Sequence, residues 1–440
     1  MANYNFRNIK AYANFMQGAQ NLLIRTLENF FSAHVRLHFE PLRELVPAYG
    51  IDISLCWERY VYILSNDKVL IVPRVRDASG NTYYLAILIE GEMIGRYSKR
   101  SIFHYLAATI SLSLYESLRH SFWGAVEFFD ERLILSVISR YLAKGKFNNH
   151  KINTLITKFN AIRSTTFEGK YFSTGLIVAA TLADYKKDIE NGGRSGVVMG
   201  LHNTQHVYDD IDTRFWYLAD GMNSLYLSDI KESIHYMFIY KNPDNNFLNR
   251  MLLANALKGR DFLIRVASGR ELSVITSHMV EFIYQENTWR YRDYKWLKTR
   301  ITSIMPMDDK VYNAILYCVL YCSKNDISSI LWIPEDLTTI DKYVQVRHPF
   351  SNKIIKITDR DNEGLVKRML SSDGATVVSS DGVIKYYGCI AQLKATSSKK
   401  AKGTGETAAG NLAANGIAFK ISQDGTIKVF LKKDASPIKF

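Results

Sequence analysis

The residue pattern predicts an α/β domain at the C-terminus, preceded by an α+β region. Three observations carry this expectation. Helical spacing of apolar residues near the N-terminus gives way to short β-type runs. A second cluster of β-type runs lies between Asp261 and Trp289. In the last third, helix-like and strand-like segments alternate, which is the order that builds α/β folds.

From Ile9 to Phe31, Phe15, Leu22, Leu23, Leu27, Phe30 and Phe31 recur at helical spacing, so an amphipathic helix is expected. Val61 to Leu64, Val69 to Val72 and Tyr83 to Ile89 read as strands, punctuated by Asn66-Asp67 and Ser79-Gly80-Asn81. A helix from Ile102 to Arg119 completes a first α+β domain, placed at residues 1–135. The middle domain, 136–305, holds a helix-like segment after Asn148-Asn149 and the strand Leu176 to Ala180. Val197-Val198-Met199 is a short strand-like run, and Phe262 to Ile264, Leu272 to Ile275 and Met279 to Tyr284 are β-like; Tyr294 to Ile304 reads as a helix or connector. Pro306 and Asp308-Asp309 break the pattern, and the last domain is placed at 306–440. There a helix over Lys310 to Cys322 can line one face with Val311, Ile315, Val319 and Cys322. A buried strand, Ile330 to Ile333, stops at Pro334, and a helix from Asp361 to Leu370 opens with acidic residues suited to its first turn. Thr376 to Val378 and Val383 to Tyr387 flank Asp381-Gly382 as a tight hairpin. A helix is expected to start at Ala408-Ala409, and strands at Gly416 to Ile421 and Thr426 to Phe430.

Composition narrows the function classes. In 440 residues, 47% are apolar and 22% charged, which is ordinary for a globular chain. The net charge of +13 favours polyanions, but it is spread along the chain, so nucleic-acid binding is not expected. Four cysteines, Cys56, Cys318, Cys322 and Cys389, form neither a disulfide framework nor a four-ligand metal set. No leader peptide and no membrane-spanning run are visible, and a soluble cytoplasmic protein is the expectation.

Several motifs have bland readings. Asn191-Gly192-Gly193-Arg194-Ser195-Gly196 lacks the lysine and hydroxyl of a phosphate loop and reads as a structural turn. His202 and His206 could chelate a metal from one helical face, helped by Asp209, Asp210 and Asp212. Asn203-Thr204-Gln205 between them is a weak helix former, so a polar surface or satisfied histidines are expected instead.

Two loops in the last domain carry more. In Ser371-Ser372-Asp373-Gly374-Ala375, a helix runs through a tight acidic turn into a strand. Gly374 permits a sharp turn and leaves room for a ligand, Ala375 keeps the approach open, and Asp373 can hold the Mg²⁺ or Mn²⁺ of a nucleotide. The segment from Lys394 to Ala409 is basic through Lys394, Lys399, Lys400 and Lys402, then exposes backbone N–H groups at Gly403-Thr404-Gly405. Such a run can bind phosphate, or it can be a solvated lysine-rich loop.

The stretch from about 311 to 430 resembles the diadenylate cyclase domain of the bacterial DNA-integrity scanning protein and its membrane-bound relatives. Asp373-Gly374-Ala375 matches that family's Asp-Gly-Ala motif, and Gly403-Thr404 with Ala408-Ala409 frames its second motif. The resemblance implies a mixed central sheet and one ATP per subunit. In that family two subunits meet face to face, and two ATP condense to cyclic di-AMP with release of pyrophosphate. It implies that Asp373 positions metal and the attacking hydroxyl, that Gly374 and Ala375 accommodate ribose or base, and that Thr404 contacts phosphate. Gly403, Gly405 and Thr407 complete the candidate nucleotide-binding set. Where the family has Arg-His-Arg, this chain has Gly405-Glu406-Thr407, and Ser422-Gln423-Asp424 replaces its Ser-Glu-Glu. Two guanidinium clamps are lost and an anion arrives. Lys399, Lys400 and Lys402 could restore part of the charge, and Glu406 could serve as a second metal ligand. The preferred reading is a sensor that binds a nucleotide or cyclic dinucleotide with reduced catalysis. An active divergent cyclase, self-associating through its half-sites, and a non-binding interaction protein are the alternatives.

Overall fold

A computed structural model describes residues 6–8, 16–38, 42–51, 60–76, 82–91, 102–119, 129–144, 147–192, 196–229, 233–241, 250–267, 271–349, 354–392, 403–432 and 437–440. The chain divides into two compact units, one of residues 1–240 with 257–292 and one of 241–256 with 293–440.

The larger unit is α+β. An eight-stranded mixed sheet runs Gly196–His206, Ser233–Tyr240, Ser224–Ser228, Thr174–Val178, Phe262–Ala267, Glu271–Thr276, Val280–Gln285 and Thr288–Asp293 in spatial order. Its last four strands form a meander in chain order; the first three fall on the β-like runs expected from Asp261 onward, and Thr288–Asp293 is a fourth that was not expected. A four-stranded sheet joins His34–His38, Ala86–Glu90, Lys68–Ile71 and Val61–Ser65. Helices Met16–Phe31, Ile102–Arg119, Glu131–Ala143 and Asn149–Arg163 contribute Leu27, Phe30, Phe103, Leu106, Ile134, Ile138, Leu155 and Phe159 to one continuous core. Two charged pairs are buried in the sheet, Arg265 with Glu271 at 3.2 Å and Arg292 with Glu281 at 3.8 Å. Each partner offsets part of the other's desolvation.

The smaller unit is α/β. Helix α1 (Asp309–Lys324) starts where the Asp308 carboxylate accepts the Lys310 N–H at 2.7 Å, with Asp309 in its first turn and Lys324 in its last. Strand β1 (Ser329–Pro334) is buried throughout. Then come β2 (Val344–Pro349), α2 (Glu363–Leu370), β3 (Ala375–Val378), β4 (Ile384–Ala391), α3 (Thr404–Ala413), β5 (Gly416–Ile421), β6 (Ile427–Leu431) and β7 (Ile438–Lys439). The sheet order is β2-β4-β3-β1-β5-β6-β7. β1 and β3 pair in parallel, while the other adjacent pairs are antiparallel, so the sheet is mixed.

Strand alternation sends β1 side chains to two helical layers. Ile330 and Trp332 join Val377, Ala418 and Phe430 beneath Ala409, Leu412 and Ala413 of α3. On the opposite face Thr376 donates through its hydroxyl to Met369 O of α2 at 3.2 Å. The two strand ends opposite the cleft described below are tied by Asn415. Its side chain accepts the Asp336 N–H at 3.0 Å and donates to Asp336 O at 2.9 Å, and its carbonyl accepts the Trp332 indole N–H at 3.2 Å.

Candidate functional site

Topology brings the two sequence loops together. Because β1 and β3 are parallel, Ser329 and Ala375 begin them at the same end of the sheet. β5 is antiparallel to β1, so its last residue, Ile421, lies opposite Ser329 at that end. β4 returns antiparallel to β3 with Cys389 opposite Ala375. Helix α3 starts above this edge. The result is a cleft of about 760 Å³ lined by Asp373, Gly374 and Ala375 on one side and Gly403, Thr404, Gly405 and Glu406 on the other.

The floor of the cleft is one rung of the sheet. Lys420 pairs with Ile330, Ile330 with Ala375, and Ala375 with Cys389, and all four line the cavity. Three of these residues are apolar or weakly polar, which leaves Lys420 as the charge in the floor. Ala375 is small and 1% exposed, so the floor stays low where a larger side chain would fill it.

The acidic loop is shaped by backbone contacts. Ser371 Oγ donates to Lys367 O at 2.8 Å and Ser372 Oγ to Met369 O at 2.6 Å, so both hydroxyls satisfy carbonyls at the end of α2. Gly374 has φ +96°, and a Cβ there would lie 2.7 Å from Cys389 O and 2.8 Å from Gly388 C. The glycine is therefore demanded by the approach of β4, and its backbone also lines the cleft. Opposite it, β4 carries an extra residue between Tyr386 and Cys389, with Gly388 at φ +60°. The bulge re-aims the end of the strand toward the cleft. Asp373 is exposed at the mouth.

On the other side, α3 starts at Thr404, four residues earlier than the sequence predicts. Gly403 is its N-cap residue and supplies no side-chain acceptor. The Glu406 and Thr407 N–H groups both donate to Gly403 O at 3.1 Å, as a first helical turn should. The Thr404 and Gly405 N–H groups have no intrahelical acceptor at this position. Thr407 does not line the cleft, and its hydroxyl donates back to Gly403 O at 3.3 Å. Glu406 lines the cleft, yet its carboxylate is held by Lys428 of β6 in a hydrogen-bonded ion pair. Lys399, Lys400 and Lys402, with Lys394, lie outside the described residues.

Lys420 is the cation that sequence reading passed over. It is 8% exposed, and its Nζ donates to Ser328 Oγ at 2.8 Å and to Ile421 O at 2.7 Å. Burial pushes its pKa below the ordinary lysine value, while the carboxylates of Glu406 and Asp424 act in the opposite direction. Its signal was a lone lysine in the otherwise apolar run Gly416-Ile417-Ala418-Phe419-Lys420-Ile421.

Other candidates stay apart from this site. His202 and His206 sit on the strand Gly196–His206, not on a helix, so residues four apart are spread along an extended backbone. His206 Nδ1 accepts the Tyr208 N–H at 3.3 Å, and Asp212 caps the helix Thr213–Tyr217. Among the described residues no group of three or more histidine, cysteine, aspartate or glutamate side chains is arranged to hold a metal. Cys318, Cys322 and Cys389 are buried and not joined in disulfides. Of the glycine-rich loop, 193–195 lie outside the described residues, and Gly192 makes a turn at φ +72°. No described helix is long and apolar enough to cross a membrane.

No family model and no curated protein matches this chain. Partial structural similarity is found to a hypothetical membrane spanning protein from Bacillus cereus, with TM-score 0.27 and 16% identity over 32% of this chain and 70% of that one. DacA from Staphylococcus aureus, in a double-mutant form, gives TM-score 0.23 and 15% identity over 30% of this chain and 86% of that one. Scores this low carry no argument about what this chain does.

Proposed function

We propose that the smaller unit binds a nucleotide or cyclic dinucleotide in the cleft between Asp373 and α3, and that it acts as a sensor without efficient turnover. The observation that supports this is the meeting of the two loops over one sheet rung. An acidic loop, a helix N-terminus and a floor that is apolar apart from Lys420 then face the same cavity. The helix start offers N–H groups and the positive end of its dipole to a phosphate. The floor of Ile330, Ala375 and Cys389 suits the flat, weakly polar face of a base or sugar.

Asp373, exposed at the cleft mouth, would accept from ribose hydroxyls or hold a Mg²⁺ or Mn²⁺ that arrives on phosphates. A single exposed carboxylate suits such a cation, which keeps most of its water and phosphate ligands. When bound, the ion would supply charge neutralisation to the phosphates. Glu406 fits a ligand role less well, because Lys428 already occupies its carboxylate. Condensing two ATP needs cations on the phosphates as the leaving group departs. On the described α3 side, Gly405, an ion-paired Glu406 and a Thr407 turned to its own helix stand where the family has Arg-His-Arg.

Turnover is the second reading, favoured by the exposure of Asp373 at the cleft mouth. It requires a second copy facing the first, because one subunit presents half of a two-ATP reaction centre. The test is mass spectrometry of nucleotides that co-purify with the protein. It is paired with thermal shifts against ATP, ADP, AMP and cyclic di-AMP, with and without Mg²⁺ or Mn²⁺. A saturating ligand at a hundred times its Kd should stabilise by about 2.7 kcal/mol. Steady cyclic di-AMP synthesis abolished by Asp373→Ala would establish the second reading in place of the first. No shift with any probe would leave a structural or interaction role.

A further inference from the structure

We propose that Lys420 is the phosphate-binding cation of this cleft, reaching the ligand from beneath the first turn of α3. The inference rests on the nucleotide-binding reading above and adds the residue that answers the ligand's charge.

Three features of the geometry point the same way. Lys420 belongs to the floor rung, so its side chain emerges between Ile330 and the α3 layer and lines the cavity. A Cβ placed on Gly405 would lie 2.7 Å from Lys420 Cε and 3.4 Å from its Nζ. The glycine therefore leaves the passage through which the lysine stem reaches the helix N-terminus. An ammonium group has three N–H donors, and the two hydrogen bonds it makes here go to neutral oxygens, Ser328 Oγ and Ile421 O. One donor is left for a ligand.

The electrostatics are those of a site waiting for an anion. A nearly buried ammonium is desolvated, and it lies against the positive end of a helix dipole, an unfavourable position for a cation. The nearest described carboxylate on α3, Glu406, is bonded to Lys428 instead. A phosphate ester placed between Nζ and the N–H groups of Thr404 and Gly405 would satisfy both positive elements together. Where the family's motif carries arginines on the helix, this chain places its cation on the neighbouring strand.

The experiment measures the affinity of ATP, cyclic di-AMP and adenosine for wild-type protein, Lys420→Met and Gly405→Ala, with the thermal midpoint of each ligand-free protein. Lys420→Met should weaken the phosphate-bearing probes by about 10- to 100-fold, the worth of a hydrogen bond to a charged group. Adenosine affinity should change by less than about 3-fold, because adenosine carries no phosphate for the ammonium to meet. The ligand-free midpoint of Lys420→Met should equal or exceed that of wild type, since a desolvated charge has been removed. Gly405→Ala crowds the lysine stem while keeping its charge, and should weaken the same probes by about 3- to 10-fold. It decides the matter if Lys420→Met does not fold. Unchanged phosphate affinity in the variants overturns the role of Lys420 and leaves the nucleotide reading standing. A lowered midpoint with parallel loss of adenosine makes the lysine structural and overturns it as well. Failure of wild-type protein to bind any probe overturns the nucleotide reading and this inference together.

Discussion

Substituting alanine for Gly374 tests the claim that this glycine is demanded by the approach of β4. At φ +96° an L-residue is strained by about 1–3 kcal/mol before any contact is counted. The new Cβ would also meet Cys389 O at 2.7 Å, Gly388 C at 2.8 Å and Cys389 N at 2.9 Å. These are backbone atoms of a paired strand, so no side chain can swing away. Either β4 shifts and loses its register with β3, or the loop opens. Overpacking of this kind costs a further 1–3 kcal/mol or so. The combined loss of roughly 2–6 kcal/mol should lower the unfolding midpoint of the smaller unit by about 4–24 °C. Gly403→Ala is the matched control, because its φ is −58° and nothing lies within 4 Å of its Cβ position. It should stay within about 2 °C of wild type, given its compatible backbone. Circular dichroism melts of the three proteins without ligand make the comparison. If Gly374→Ala melts together with Gly403→Ala, the backbone argument is wrong.

Three further outcomes are expected. Glu131 accepts the Trp289 N–H at 2.7 Å, and burial raises its pKa to about 7, with Asp130 adding to the rise and the Trp289 hydrogen bond opposing it. The folded chain therefore holds more protons than the unfolded one between pH 4.5 and about 7, and stability falls as pH rises through that window. The fall should be about 3 kcal/mol at most, given partial exposure, and Glu131→Gln should flatten it in urea titrations at pH 5 and pH 8. Burial pushes the Cys318 thiol far up and that of Cys322 up to about 12, so neither should be alkylated at pH 8 until denaturant is added. Peptide mapping after brief iodoacetamide treatment reads this, and rapid labelling of either in the native protein would contradict it. Glu406→Gln removes an anion from the cleft wall and frees Lys428, so phosphate-bearing ligands should bind about 2- to 10-fold tighter by calorimetry. Weaker binding would assign the carboxylate to the ligand or its metal.

Strands and helices were legible where local residues decide them. Ser329–Pro334 is an apolar run ended by proline, and Gly416–Ile421 is bounded by Asn415 and the turn at Asp424-Gly425. Both are found within a residue of expectation. The strand Val344–Pro349 escapes such reading, since it lies at the sheet edge and its pairing with β4 slips twice in register. The start of α3 is misread for a related reason. Thr404-Gly405-Glu406-Thr407 has the composition of a loop, and glycine costs a helix about 1 kcal/mol. Ala409, Leu412 and Ala413 pack on the sheet and anchor the helix, so its first turn forms against local preference. The longest misjudged element, Gly196–His206, shows the same limit, because its polar second half carries little strand signal and rejoins Ser233–Tyr240 only at Gln205 and His206.

The candidate site was legible in one half of its chemistry and hidden in the other. Asp373-Gly374-Ala375 and Gly403-Thr404 announce themselves because each is contiguous, and each puts unusual residues at a helix or strand terminus. A charge supplied by a neighbouring strand has no such signature. Lys420 becomes part of the cleft only because β5 pairs with β1, β1 with β3, and Gly405 lies over its stem. None of those relations can be read from the residues flanking Lys420. A motif read along the chain therefore registers its own cations, yet not one in the strand beneath the helix. Counting charges along a motif understates what a cleft carries whenever the sheet supplies one from another strand. The affinity of Lys420→Met for a phosphate-bearing probe measures that contribution.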